Sequence, residues 1–282
     1  MINSIGKCNA FCTGCGDVTS DKRFAFRRLC YDGALSKSPN FPVRVGFFVT
    51  CLVDLVRPRI GFSAIKLLED AGCEVVVPTT QTCCGQPGYN SGDVLSGRAM
   101  ALKFIDEFQG CDYIVAPSGS CSGMIRMHYP VIFKDEPDVL KRLLPLTEKT
   151  YELTDFLVNV VKLEKFDMQV AESVTYHDSC SGLRELNVKQ QPRALLKRCG
   201  VSVTEMTDAE VCCGFGGTFS IKLGDISTRM ADNKCVNAQA TGAKTIVGGD
   251  LGCLLSIEGR LRRNGDRETK VLHISEILAP GP

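Results

Sequence analysis

Four cysteines recur in the same order in the two halves of this chain. Cys51, the vicinal pair Cys83-Cys84 and Cys121 are matched by Cys180, Cys212-Cys213 and Cys253. The displacement is 129 residues for the first three and 132 for the last. Each vicinal pair runs into glycine, as Cys83-Cys84-Gly85 and as Cys212-Cys213-Gly214-Phe215-Gly216-Gly217. Thr50-Cys51 and Ser179-Cys180 each close an apolar run, and Ser118-Gly119-Ser120-Cys121 aligns with Asp250-Leu251-Gly252-Cys253. A single vicinal pair says little. Two four-cysteine patterns in register point to an internal duplication, and inert buried thiols are the weaker explanation for both.

The compartment follows from cysteine usage. Sixteen cysteines in 282 residues fall below the ~8–10% of a short secreted disulfide scaffold. Met1 to Gly16 lacks the basic-then-apolar layout of a secretory leader. No apolar run approaches the ~20 residues that span a bilayer. The expected location is the reducing cytoplasm, where many thiols mean metal or redox chemistry rather than disulfides. Only His128, His177 and His273 are present, so a metal would be held mainly by thiolate. A net charge of +1 gives no reason to expect nucleic acid as a partner. Cys73, Cys111, Cys199 and Cys235 form no repeated set, lie beside apolar or helical sequence, and read as inert core residues.

Hydrophobic periodicity predicts an α/β fold of two pseudo-symmetric parallel-sheet domains, each carrying one Cys…Cys-Cys-Gly…Cys motif. The first half reads as a strand over Val43–Thr50, a helix from Pro58 to Gly72, a buried strand over Glu74–Val77, a helix over Asp93–Phe108 and a strand over Tyr113–Ala116. The second half repeats this with Val174–His177, a helix over Pro192–Cys199, Val201–Thr204, a helix over Leu223–Ala240, and Thr245–Val247. The implied units are an extension over residues 1–42, a first domain over 43–165 and a second over 166–282. Cys51, Cys121, Cys180 and Cys253 fall just past the carboxyl ends of predicted strands, where open parallel sheets gather ligands.

The donor set suits zinc or iron–sulfur. Structural zinc favours tight knuckles around one ion, whereas here each set spreads over about seventy residues. Neighbouring side chains in extended chain diverge, so a vicinal pair reaches two metal corners more readily than one ion. Iron–sulfur is the favoured reading.

At these residues the chain resembles the cysteine-rich, or CCG, domain proteins: the CCG-bearing subunit of heterodisulfide reductase, the glycolate oxidase iron–sulfur subunit and the lactate utilisation protein A family. Cys51-Leu-Val-Asp-Leu-Val-Arg-Pro58, Pro117-Ser-Gly-Ser-Cys121, His177-Asp-Ser-Cys-Ser-Gly-Leu-Arg-Glu-Leu186 and Cys212-Cys-Gly-Phe-Gly-Gly-Thr-Phe-Ser220 look closest to the lactate family. The resemblance covers roughly Val43 to Ala279. It implies a cytoplasmic electron-transfer subunit of an L-lactate-oxidising complex, with lactate utilisation proteins B and C as partners and no catalytic residue of its own. It also implies two [4Fe-4S] clusters, one on Cys51, Cys83, Cys84 and Cys121 and one on Cys180, Cys212, Cys213 and Cys253. The family's full motif ends in CxxC. Here Ser118 and Asp250 stand at the first cysteine of each, as oxygen ligands or as turn caps, which weakens the five-cysteine cluster of the heterodisulfide type. The competing functions are a thiol–disulfide oxidoreductase subunit of that type and a zinc-stabilised interaction module.

Three features stand beside the repeat. Gly85, Gly119, Gly214, Gly216 and Gly217 either present N–H groups to cluster sulfides or serve ordinary turns. His177 reads as a satisfied strand-end histidine in preference to a tuning or proton-relay residue. Cys8, Cys12 and Cys15 have CxxxCxxC spacing but lie outside the repeat and read as part of a polar extension.

Overall fold

The computed structural model describes residues 42–164, 166 and 173–280. Cys8, Cys12 and Cys15 lie outside these. The first half runs β1 (Arg44–Phe47), α1 (Cys51–Val56), α2 (Pro58–Asp70), β2 (Glu74–Val76), α3 (Gln86–Asn90), α4 (Val94–Phe108), β3 (Tyr113–Ala116), α5 (Gly119–Gly123), α6 (Tyr129–Ile132), α7 (Pro137–Glu148), β4 (Thr150–Glu152) and α8 (Leu153–Asp155). The second runs β5 (Ser173–His177), α9 (Cys180–Leu186), α10 (Gln190–Arg198), β6 (Ser202–Val203), α11 (Thr218–Lys222), α12 (Gly224–Gln239), β7 (Thr245–Gly248), α13 (Leu251–Arg263), β8 (Lys270–His273) and α14 (Ile274–Leu278).

Two four-stranded, all-parallel sheets result, ordered β2-β1-β3-β4 and β6-β5-β7-β8. The register repeats as well as the order. Val45 pairs with Val75 and Tyr113, and Val174 with Val203 and Thr245. The expected pair of pseudo-symmetric parallel α/β sheets is therefore what the chain adopts, with one strand more per half than periodicity revealed. β4 and β8, of three and four residues, are too short to show a period. Two expected strands change character. β1 ends at Phe47 rather than Thr50, because the Val49 N–H goes to the Gln81 side chain at 2.9 Å instead of to a neighbouring strand. β2 is a sheet edge, with Glu74 exposed and Val75 and Val76 half-buried, so it is not the buried strand expected.

The helices follow local rules. Proline opens α2 at its first turn, where no N–H is required. Its apolar stripe Ile60, Ala64, Leu67 and Leu68 is buried. Asp93 caps α4 by accepting from Ser96 N at 3.0 Å. The last turn of α13 carries Arg260, Arg262 and Arg263 against its negative dipole end.

The halves share one core. A continuous cluster joins Val45, Phe47 and Val115 of the first sheet to Val174, Ile246 and Val247 of the second. A separate cluster around Phe48, Phe104, Phe108 and Tyr129 belongs to the first half alone. Polar contacts stitch the seam. Arg57 reaches Glu258 at 2.6 Å and Arg59 reaches Glu276 at 2.7 Å. Ser275 Oγ donates to the Ile60 carbonyl at 3.2 Å. α5 also packs across α9, where both crossing points are glycine. A Cβ added to Gly119 would lie 2.8 Å from Gly182 Cα.

Candidate metal centres

In an open sheet ordered 2-1-3-4, the chain turns to opposite sides after the first and third strands, leaving a crevice at their carboxyl ends. The two single cysteines of each motif flank that crevice. Cys51 begins α1 directly after β1, and Cys121 lies in the first turn of α5 after β3. Cys180 and Cys253 take the same places after β5 and β7. The vicinal pairs arrive on the loops after β2 and β6. Topology thus brings residues about seventy apart in sequence to one sheet edge.

All eight sequence-predicted cysteines converge, four in each half. Cys84 Sγ lies 3.4 Å from Cys121 Sγ. Cys83 receives hydrogen bonds from the thiols of Cys51 and Cys84. In the second half Cys212 receives them from Cys180 and Cys213, and Cys213 also contacts Cys253. Cys84, Cys121, Cys213 and Cys253 are buried, while Cys51, Cys83, Cys180 and Cys212 are half-buried. Each set is therefore sealed on one side and open on the other. Cys73, Cys111, Cys199 and Cys235 are buried in the core, outside both sets.

The electrostatics repeat too. The thiols of Cys51 and Cys84, with the Gly85 N–H at 3.3 Å, bring Cys83 down to about 3. Cys180 and Cys213, with the Gly214 N–H at 3.3 Å, bring Cys212 down to about 2. Cys51 and Cys180 are pushed far up, first by donating those bonds and then by burial. The proton is held least tightly at Cys83 and at Cys212, each beside further sulfurs, a soft donor group that gives up protons on binding metal. Gly85 and Gly214 take φ of 79° and 85°, the left-handed turn that aims these N–H groups back at sulfur.

Ser118 and Asp250 both act as caps. Ser118 Oγ accepts from Cys121 N at 3.3 Å, and Asp250 Oδ1 accepts from Gly252 N at 3.2 Å. They are also joined: Ser118 Oγ donates to Asp250 Oδ2 at 3.1 Å, and Ser120 N donates to the same oxygen at 2.9 Å. This bond ties the helix start behind Cys121 to the helix start behind Cys253.

The cysteine-rich domain family (CCG) matches residues 45–126 and again 174–258, one match per sheet. "Lactate utilization protein A" of Bacillus subtilis (strain 168) is 45% identical over 237 residues, covering 84% of this chain and 99% of its own length. The protein of the same name from Bacillus cereus (strain G9842) is 44% identical, with coverage of 84% and 98%. This chain belongs to the lactate utilisation protein A family. Among solved structures, a hypothetical protein from Helicobacter pylori superimposes with a TM-score of 0.63 over 85% of this chain and 49% of its own. At 11% identity that likeness concerns the fold alone.

His177 departs from the satisfied strand-end histidine expected of it, and Lys234, which no motif marks, lies beside it. His177 does end β5 and is buried, but it is not satisfied: neither ring nitrogen has a hydrogen-bond partner. One of them lies within 4.8 Å of the Cys213 and Cys253 sulfurs. Burial and then the Lys234 charge hold its imidazole down to about 3, so the ring is neutral at physiological pH. Lys234 is itself buried and donates to the carbonyls of Asp208 and Ala209, the latter at 3.2 Å. A lysine inside the buried stripe Ala231, Lys234, Cys235, Ala238 of α12 was a legible signal.

Proposed function

We propose that the protein is the iron–sulfur electron-transfer subunit of an L-lactate-oxidising system in the cytoplasm, acting with lactate utilisation proteins B and C. The single observation that carries this reading is the duplicated set of four thiols gathered at the crevice of each sheet. Family membership supports the lactate assignment, since the relatives carry that name. Among the described residues no helix is long and apolar enough to cross a membrane.

The donor set fits a cluster. Each set offers four thiol sulfurs, the complement of a [4Fe-4S] group. Ser118 and Asp250 occupy the places of a fifth cysteine, and both are engaged in capping and in bonding to one another. That favours four-thiolate ligation. On this reading Cys51, Cys83, Cys84 and Cys121 hold one cluster within residues 43–165. Cys180, Cys212, Cys213 and Cys253 hold the other within 166–282, and residues 1–42 are an extension. A bound cluster supplies one-electron chemistry. Oxidation of L-lactate to pyruvate releases two electrons and two protons, and hydride removal belongs to a partner. This chain's residues keep water from the buried sulfurs, aim Gly85 and Gly214 N–H groups at sulfur, and hold Cys84 in place through Tyr129 Oη, which donates to its carbonyl at 2.9 Å.

The test is iron, acid-labile sulfide and zinc per chain on anaerobically purified protein, with EPR of the same sample. About eight iron and eight sulfide are expected, four per four-cysteine set. Zinc in place of both would overturn the reading and leave a structural module.

A further inference from the structure

Building on the cluster reading, the geometry points to His177 as a hydrogen-bond donor to the sulfur of the second cluster, a contact that the first cluster lacks. The two sites then differ in reduction potential, although their cysteines are equivalent.

Three observations lead there. A buried imidazole with both nitrogens unpartnered is costly, because each polar atom has lost water and gained nothing. His177 is in that position, and the Cys213 and Cys253 sulfurs lie within its reach. An imidazole carries an N–H in either protonation state, and cluster sulfur bound there is an acceptor for it. Four thiolates already fill four iron corners, which leaves the imidazole as a donor rather than a ligand. Finally, the repeat supplies its own control. Phe48 stands three residues before Cys51, as His177 does before Cys180. Its ring packs on Phe104 and Phe108 at centroid distances of 6.1 and 5.9 Å. The first site thus has an apolar wall where the second has an N–H.

Hydrogen bonds to cluster sulfur favour the reduced state, which carries more negative charge, and so raise the potential. His177 acts through the cluster sulfurs as a positioning and tuning residue. Lys234 and Asp250 also face the second site and stay unchanged in the variants below, so the comparison isolates the ring.

The experiment is an EPR-monitored redox titration of the full chain, with nitrogen couplings read by electron spin-echo modulation and iron counted in every sample. In the wild type, two midpoints are expected, with one imidazole nitrogen coupling on the second cluster in addition to the backbone couplings that Gly85 and Gly214 give both clusters. His177→Phe should abolish that coupling and shift one reduction equilibrium at least tenfold toward the oxidised form, about 59 mV for a one-electron couple. The other midpoint should stay in place. His177→Gln keeps an N–H and should fall between. Phe48→His tests the same idea without touching the second site, and should add a coupling and raise the lower midpoint. Unchanged midpoints and coupling in both His177→Phe and Phe48→His would overturn the inference while leaving the electron-carrier reading intact. A strong coupling, meaning direct ligation, would also overturn it. Iron-free wild-type protein would overturn both readings.

Discussion

Gly119→Ala tests how the two halves are joined. Gly119 opens α5, two residues before Cys121, where α5 crosses α9. The new Cβ would lie 2.8 Å from Gly182 Cα, 2.8 Å from Ser179 Oγ and 2.9 Å from Gly182 N. Carbon atoms prefer ~3.5–4.0 Å, so the helices must part by roughly 1 Å. Two of the three atoms are backbone and cannot rotate aside. Overpacking of this kind costs about 1–3 kcal/mol. The helix-propensity gain of alanine offsets at most ~1 kcal/mol, and less at a helix's first position. The expected net loss is about 1–2 kcal/mol. Gly224→Ala is the matched control, because it also opens a helix, α12, and its Cβ would meet nothing within 4 Å. That substitution should be neutral or stabilise by up to ~1 kcal/mol. The assay is urea unfolding of the metal-free chain under anaerobic reducing conditions, comparing midpoints at equal slope. If Gly119→Ala matches the wild type or exceeds it, the glycine crossing does not hold the halves together.

Further outcomes follow from other buried groups. Arg193 binds Asp178 with two bonds of 2.8 Å while the Asp178 side chain has no exposure; Arg193→Met should cost about 3–5 kcal/mol by stranding that charge. Adding Asp178→Asn should recover part of the loss, and purely additive losses in urea melts would argue against a coupled pair. Burial pushes the Glu152 carboxyl up from 4.5 to about 7. The folded state therefore holds this proton more tightly, and its stabilising effect is full below pH 4.5 and lost as pH rises through 7. The wild type should lose about 3 kcal/mol from this group between pH 5 and pH 8, and Glu152→Gln should lose that slope in chemical denaturation. Cys213→Ser should cost close to half of the bound iron while Cys73→Ser leaves the count unchanged; equal losses in the two variants would mean that the paired sets are not the sites.

The duplication, the α/β class and the eight cysteines that meet are all legible in the residues alone. Each rests on short-range or in-register information. Strand and helix periods are local, helix starts are written in Pro58 and Asp93, and a 129-residue repeat needs no structure to be seen. Within the site, the places of Cys51, Cys121, Cys180 and Cys253 were legible because a parallel sheet delivers its strand ends to one edge. The features that had to wait for the folded molecule involve partners far apart in sequence. β4 and β8 exist because β3 and β7 offer them a free edge, not because three or four residues specify a strand. Ser118 meets Asp250, and Gly119 meets Gly182, only once the two sheets dock. His177 looks like any strand-end histidine until packing removes water from both ring nitrogens and sets the Cys213 and Cys253 sulfurs beside it. Whether a polar atom is satisfied depends on the atoms that enclose it, and packing chooses those from the whole chain.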